Sequence, residues 1–274
     1  MEELLQQLNE RIANRLYGKY RGFVADNEDP LGKGRLKLKI PSVLGSDAVS
    51  DWALPCLPFG GTTDTGMFFV PDVDAQLWVE FEEGDVHRPI WVGVFWQTQD
   101  DVPEEAQVTP PTTRIIKTPG GHRLQFDDEE GEEQIILHHT TEAELVVDKN
   151  GSVTVKDAAD NQLELDAEGS KITVEDANGN SLVMSSSGIT VEDANGNKIE
   201  MSASAINVEG SSTINIKGNM VNLGGAGGEP VIKGQSFLTL FSTHIHSTSG
   251  YGAPTSPPVP QGEASTLSSK VMTT

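Results

Sequence analysis

The sequence predicts an all-β protein: a small N-terminal barrel followed by a slender shaft wound from several copies of the chain. Three observations predict it. Residues 35 to 40, RLKLKI, alternate apolar and basic side chains with the period of a strand. From Leu145 to Leu223, apolar residues recur in pairs separated by one residue. The stretch ITVEDANGN is written twice, at 172–180 and 189–197, with a looser copy VTVKDAADN at 153–161.

Residues 1–16, MEELLQQLNERIANRL, place Met1, Leu4 or Leu5, Leu8, Ile12 and Leu16 at spacings of three and four. That is an amphipathic docking helix, packed on its own domain or on a partner. Residues 17–97 change to short strands divided by Gly, Pro, Asn and Asp. Leu36, Leu38 and Ile40 face one way and Lys37 and Lys39 the other, and Leu77, Val79 and Phe81 repeat the pattern. Five such strands in about 80 residues predict a closed barrel. All four tryptophans, Trp52, Trp78, Trp91 and Trp96, fall here and are expected to supply its buried area. Cys56, alone in the chain, forms no internal disulfide and is expected as a small buried residue. Residues 98–113, TQDDVPEEAQVTPPTT, are rich in acids and proline and read as an extended linker. Two strands then flank the acidic loop Asp127 to Glu133, opening a shaft assigned to 114–223.

The shaft pairs are Leu145/Val147, Val153/Val155, Leu163/Leu165, Ile172/Val174, Leu182/Met184, Ile189/Val191, Ile199/Met201, Ile206/Val208, Ile214/Ile216 and Val221/Leu223. Each reads as a strand apolar on one face. Two apolar side chains per strand make a strip too narrow for one chain to close into a sandwich. Several copies wound about an axis turn the strips inward and pair the strand edges, and three chains fit that width. A solvated single-chain roll is the alternative. DANGN resembles the start of a calcium loop, but neither copy supplies the terminal bidentate acid such a loop requires. Asn-Gly between strands predicts instead a tight hairpin with both central residues at positive φ.

The formal charge is -22, and residues 98–210 hold 24 acids against 7 bases. Such a chain is repelled by phosphates, which argues against nucleic acid as a partner. No signal peptide or spanning apolar run is present in the sequence, so assembly in the bacterial cytoplasm is expected. Neighbouring acids such as Asp127/Asp128 and Glu175/Asp176 diverge on a strand. No nucleophile elbow, phosphate loop or Ser-His-Asp order accompanies them, so no enzyme is expected. A glycan-degrading β-helix and a receptor-binding trimeric tail fibre are the competing readings.

After the apolar run SFLTLF, His244 and His246 follow on the same face of an expected strand. On a threefold axis three copies of the pair give six imidazoles, a set able to enclose one six-coordinate ion such as iron, while stacked, hydrogen-bonded histidines near the shaft's end are the alternative. His138 and His139 are adjacent and diverge, while His87 and His122 stand alone.

The stretches GKYRGFVADNEDPLGKGRLKLKIPSV, with Asp29-Pro30 and Gly34-Arg35, PDVDAQLWVEFEEGDVHRPIWVGVFW and IIKTPGGHRLQFDDEEGEEQIIL resemble the central spike proteins of contractile injection machines. These are phage baseplate assembly protein V and the type VI secretion valine-glycine repeat spikes. The resemblance implies an OB-fold barrel at 17–97 that docks on a separate hub and inner tube, then a triple-stranded β-helix at 114–223 aimed at the target envelope. It also implies a homotrimeric needle that perforates that envelope, and iron held near the tip by a His-X-His. Residues 224–274 are the tip and a tail rich in Pro, Ser and Thr, longer than an iron-capped tip needs; a tail that folds back, one that stays disordered and one that accompanies a separate cone-shaped tip protein are the open readings.

Overall fold

The computed structural model describes residues 15–223, 229–243, 250–251 and 267–273. Residues 1–14, where the docking helix is expected, and His244 and His246 lie outside the described residues. The chain divides into two compact units, Met1–Lys149 and Asn150–Thr274.

The first unit begins with a five-stranded sheet in the order β2-β1-β4-β5-β3, from β1 (Tyr20–Asp26), β2 (Lys37–Lys39), β3 (Leu54–Pro55), β4 (Gln76–Phe81) and β5 (Pro89–Val94). Antiparallel bridges from Leu36 to Ala53 and from Lys39 to Val49 join the β2 edge to the chain entering β3, which closes the barrel. A short helix α1 (Pro41–Leu44), with proline in its first turn, carries the chain out of β2. Alternation sets the core as the sequence predicts: Leu36, Leu38, Ile40, Leu77, Val79 and Val24 are fully buried, and Phe81 and Trp91 nearly so. Truncating Leu38 to alanine leaves a hole that costs about 2–5 kcal/mol. At Gly22 an added Cβ would come within 2.8 Å of Val79 Cγ2, so glycine lets β4 lie close across β1.

Two expectations for the barrel are corrected. Of the tryptophans only Trp91 is buried, its Nε1 donating to the Gly34 carbonyl at 3.1 Å. Trp52 lies beneath the cations of Arg35 and Lys37, Trp78 packs on Phe95 and Arg21, and Trp96 is 59% exposed. Aliphatic side chains fill so small an interior, and the indoles are pushed to its rim. Cys56 is exposed as well. It follows β3, where its amide is tied to the Trp91 carbonyl while the side chain faces away from the core.

Residues 98–113 are more ordered than a linker of their composition suggests. They form 3-10 turns at Gln99–Asp101 and Glu104–Ala106. The Asp101 carboxylate accepts from the amides of Thr98, foremost, and Gln97, which lowers its pKa. Glu105 pairs with Lys117 at 2.8 Å. Four antiparallel strands follow: β6 (Thr113–Lys117), β7 (Arg123–Asp127), β8 (Gln134–His138) and β9 (Glu144–Val147).

The second unit opens with a seven-stranded antiparallel meander, β10 (Val153–Lys156), β11 (Gln162–Asp166), β12 (Lys171–Glu175), β13 (Ser181–Ser185), β14 (Gly188–Glu192), β15 (Lys198–Ser202) and β16 (Ile206–Glu209). The meander stops there. Ile214 and Ile216, expected as a further strand, lie in an irregular segment. Gly210 and Gly218 bracket that segment and no turn signal returns it to β16. Val221 belongs to a separate small sheet, in which β17 (Val221–Asn222) and β18 (Glu229–Ile232) both pair with β19 (Leu267–Thr273). The run SFLTLF lies in a helix, α2 (Gly234–Thr243), rather than a strand. Phe237 and Phe241 stack there at 5.7 Å, a spacing of four that a helix brings together and a strand does not.

Candidate functional site

The register of the second unit gathers the apolar pairs into two uninterrupted rows. One runs Val155, Leu163, Val174, Leu182, Val191, Ile199, Val208, each directly opposite the next. The other runs Val153, Leu165, Ile172, Met184, Ile189, Met201, Ile206 in the same pairings. The intervening positions, Thr154, Glu164, Thr173, Val183, Thr190, Glu200 and Asn207, occupy the opposite face. A shift of one residue in any strand would exchange the faces, so the sequence pattern fixes the register.

The apolar rows remain open in a single chain. Val174 and Val191 are each 43% exposed and Ile206 is 70% exposed. The first row, from Val155 to Val208, lines a groove of about 940 Å³ that continues to Ile214. An apolar face of this length is unusual on a monomer and marks an interface.

One rim of the groove is built from the repeated turns. In DANGN the Gly179 amide donates to the Asp176 carbonyl at 3.0 Å, and Gly179 alone in the turn has positive φ, 86°. The loop is thus three residues with a left-handed glycine after an ordinary turn, not the two-residue hairpin expected from Asn-Gly. Aspartate makes the difference. Asp176 Oδ1 accepts from the amides of Asn178 and Asn180, both at 2.9 Å, and Oδ2 accepts from Asn180 Nδ2 at 2.7 Å. These bonds, Asn180 foremost, hold the Asp176 carboxyl at a pKa of about 2. Asp193 repeats the arrangement with Asn195 and Asn197, and Asp157 repeats most of it with Asn161. Both carboxylates are likewise shifted down.

The closing asparagine of each turn reaches the next. Asn161 Oδ1 accepts from Ala177 N, Asn180 Oδ1 from Ala194 N and Asn197 Oδ1 from Ser211 N, at 3.2, 3.2 and 3.0 Å. The oxygens that a calcium loop would present are committed to the chain itself. Among the described residues no group of three His, Cys, Asp or Glu side chains is placed to hold a metal ion. No helix among them is long and apolar enough to cross a membrane.

The histidines are placed differently from the sequence expectation. His138 Nδ1 lies 2.9 Å from Glu144 Oε1, and exposed His87 lies 3.5 Å from Asp51. His122 does not stand alone: its ring meets that of His139 at 4.5 Å. Sequence spacing hides this pair, because it forms only once β7 and β8 are in register.

Comparison with known proteins bears on both units. Residues 20–96 match the family described as the type VI secretion system/phage-baseplate injector OB domain. Residues 152–226 match the phage baseplate V C-terminal trimerisation domain. Two curated relatives from Pseudomonas aeruginosa are similar over part of the chain. The type VI secretion system spike protein VgrG4b is 30% identical over 99 residues, and the type VI secretion system spike protein VgrG5 is 32% identical over 98. Each match covers 34% of this chain and 12% of the relative. The trimerisation match falls on the strands that carry the open rows. With the OB domain and the trimerisation domain in order along one polypeptide, the chain belongs to the phage baseplate V family.

Proposed function

We propose that the chain is the central spike of a contractile tail or injection-system baseplate. In this role its barrel docks on a separate hub and inner tube, and its shaft perforates the target envelope when the sheath contracts. The observation that carries the proposal is the pair of apolar rows, continuous through seven strands and open in one chain, within a segment that matches a trimerisation domain. Three such faces closed on an axis give a dry core in a thin rod. The turn-to-turn asparagine bonds link successive hairpins along that rod, and the acidic exterior lets it pass anionic surfaces without adhering.

The same reading takes assembly into the particle to occur in the bacterial cytoplasm, and assigns iron to His244 and His246 of three chains, with a cone-shaped tip protein at the C-terminal end. Light scattering on the purified chain should give three times 29.4 kDa. A monomer would sink the spike assignment. Particles assembled without the protein should contract yet fail to permeabilise target cells; permeabilisation at the parental level would refute the puncturing role. Elemental analysis of the trimer should find iron that the His244→Ala/His246→Ala variant lacks, and equal iron in both would remove the tip site.

A further inference from the structure

We propose that His122 and His139 form a binding site for a divalent transition-metal ion of the zinc, nickel or copper class, separate from His244 and His246. Strands β7 and β8 pair with Arg123 opposite His138. One residue further out on each strand therefore sets His122 opposite His139, on the face that carries Leu124 and Leu137. The rings meet at 4.5 Å between centroids with planes inclined by 45°. An imidazole nitrogen about 2.0–2.1 Å from zinc puts its ring centre about 3.2 Å from the metal, so two ligands at 90–110° hold their centroids about 4.5–5.2 Å apart. The observed spacing lies in that range before any ion arrives.

The surroundings favour the same chemistry. His139 Nδ1 lies 2.8 Å from Thr141 Oγ1 and accepts from the Thr141 amide at 3.2 Å; ligation through Nε2 moves the ring proton to Nδ1, which then donates to Thr141 Oγ1 and gives up the amide contact. Among the described residues the ring nitrogens of His122 have no hydrogen-bond partner. Both side chains are exposed, and the net charge of -22 raises the local concentration of cations. Two protein ligands leave the remaining coordination positions to water, so the site is exchangeable rather than a structural staple of the four-ligand kind. Neutral imidazole is the ligand, and occupancy falls below about pH 6.

The test uses full-length protein carrying His244→Ala/His246→Ala, so that the proposed tip site cannot contribute. Titration calorimetry with zinc chloride should show uptake of one ion per chain at neutral pH. Adding His122→Ala or His139→Ala should weaken it by at least about tenfold, because loss of a ligand costs no less than loss of an orienting neighbour. A His87→Ala control should bind as its parent does. Both test positions lie in exposed turns, and unchanged circular dichroism and hydrodynamic size will show that the variants remain folded. No uptake by the parent would reduce the pair to stacked imidazoles and overturn the proposal, as would unchanged affinity in His122→Ala.

Discussion

Single side chains in this protein act chiefly by closing loops. Asp29 caps its own loop by accepting from the amides of Leu31, Lys33 and Arg35, and its carboxylate also pairs with the Arg35 guanidinium. That guanidinium holds the Asp29 carboxyl far below the usual carboxylate range. Asp29 and Gly34-Arg35 were legible in the sequence as marks of a family, but their physical role, one closed loop, shows only in three dimensions. Asp176 does similar work in the shaft with neutral partners. Its pKa is about 2 when folded against 3.8 for a free carboxyl. The folded value is the lower one, so the stabilisation is present above pH 3.8 and is lost as pH falls through about 2. Hydrogen exchange at Asn178 and Asn180 should therefore accelerate across that window beyond the intrinsic trend. Asp176→Asn, which cannot accept from Asn180 Nδ2 in the same way, should exchange faster at neutral pH and show a weaker acid dependence. An unchanged profile in the variant would mean that the turn is held by its backbone alone.

Hairpins are the unit of construction in the shaft, and the repeat follows from their geometry. One copy of ITVEDANGN is a strand and its turn, and the next copy must follow a return strand, which sets the interval of seventeen positions. Alternation made the strands and their apolar faces readable, because period 2 with one dry face leaves a single workable register. The turn class was not readable from Asn-Gly alone, since Asp176 and Asn180 outweigh the dipeptide by supplying the caps. The end of the meander was equally hidden: Ile214 and Ile216 show the right spacing but lack a partner strand. Close pairing also predicts where the element breaks. Gly188 opens β14 at φ 139°, and an added Cβ would stand 1.9 Å from the Met201 carbonyl oxygen. The obstacle is backbone, so Gly188→Ala must separate β14 from β15. At Gly131, also at positive φ, nothing lies within 4 Å of the new atom. Gly131→Ala should cost about 1 kcal/mol from backbone conformation alone. Thermal denaturation should show a clearly larger loss for Gly188→Ala, and equal losses would mean that the two strands can part without consequence.

At the scale of the whole molecule the decisive fact is that one chain cannot cover its own apolar face. Hydrophobic burial contributes roughly 25 cal/mol for each Å² removed from water, and rows that stay 40% or more exposed at several positions, Val174, Val191 and Ile199 among them, forgo much of it in the monomer. Association recovers that term, so folding of the shaft and assembly of the trimer should be one event and stability should depend on protein concentration. Adjacent positions on β14 offer a direct test. Val191 lies in the first apolar row between Leu182 and Ile199, while Thr190 lies on the opposite face between Val183 and Glu200. Val191→Lys would place a charge in the closed core of three chains, where an unpaired ammonium costs far more than the lost contacts. Thr190→Lys joins Lys198 beside the half-exposed Glu200 carboxylate and should be nearly neutral. Light scattering should therefore find Thr190→Lys trimeric and Val191→Lys monomeric or unfolded over 152–226. If Val191→Lys assembled normally while Thr190→Lys did not, the polar face would be the buried one and the architecture would have to be turned inside out.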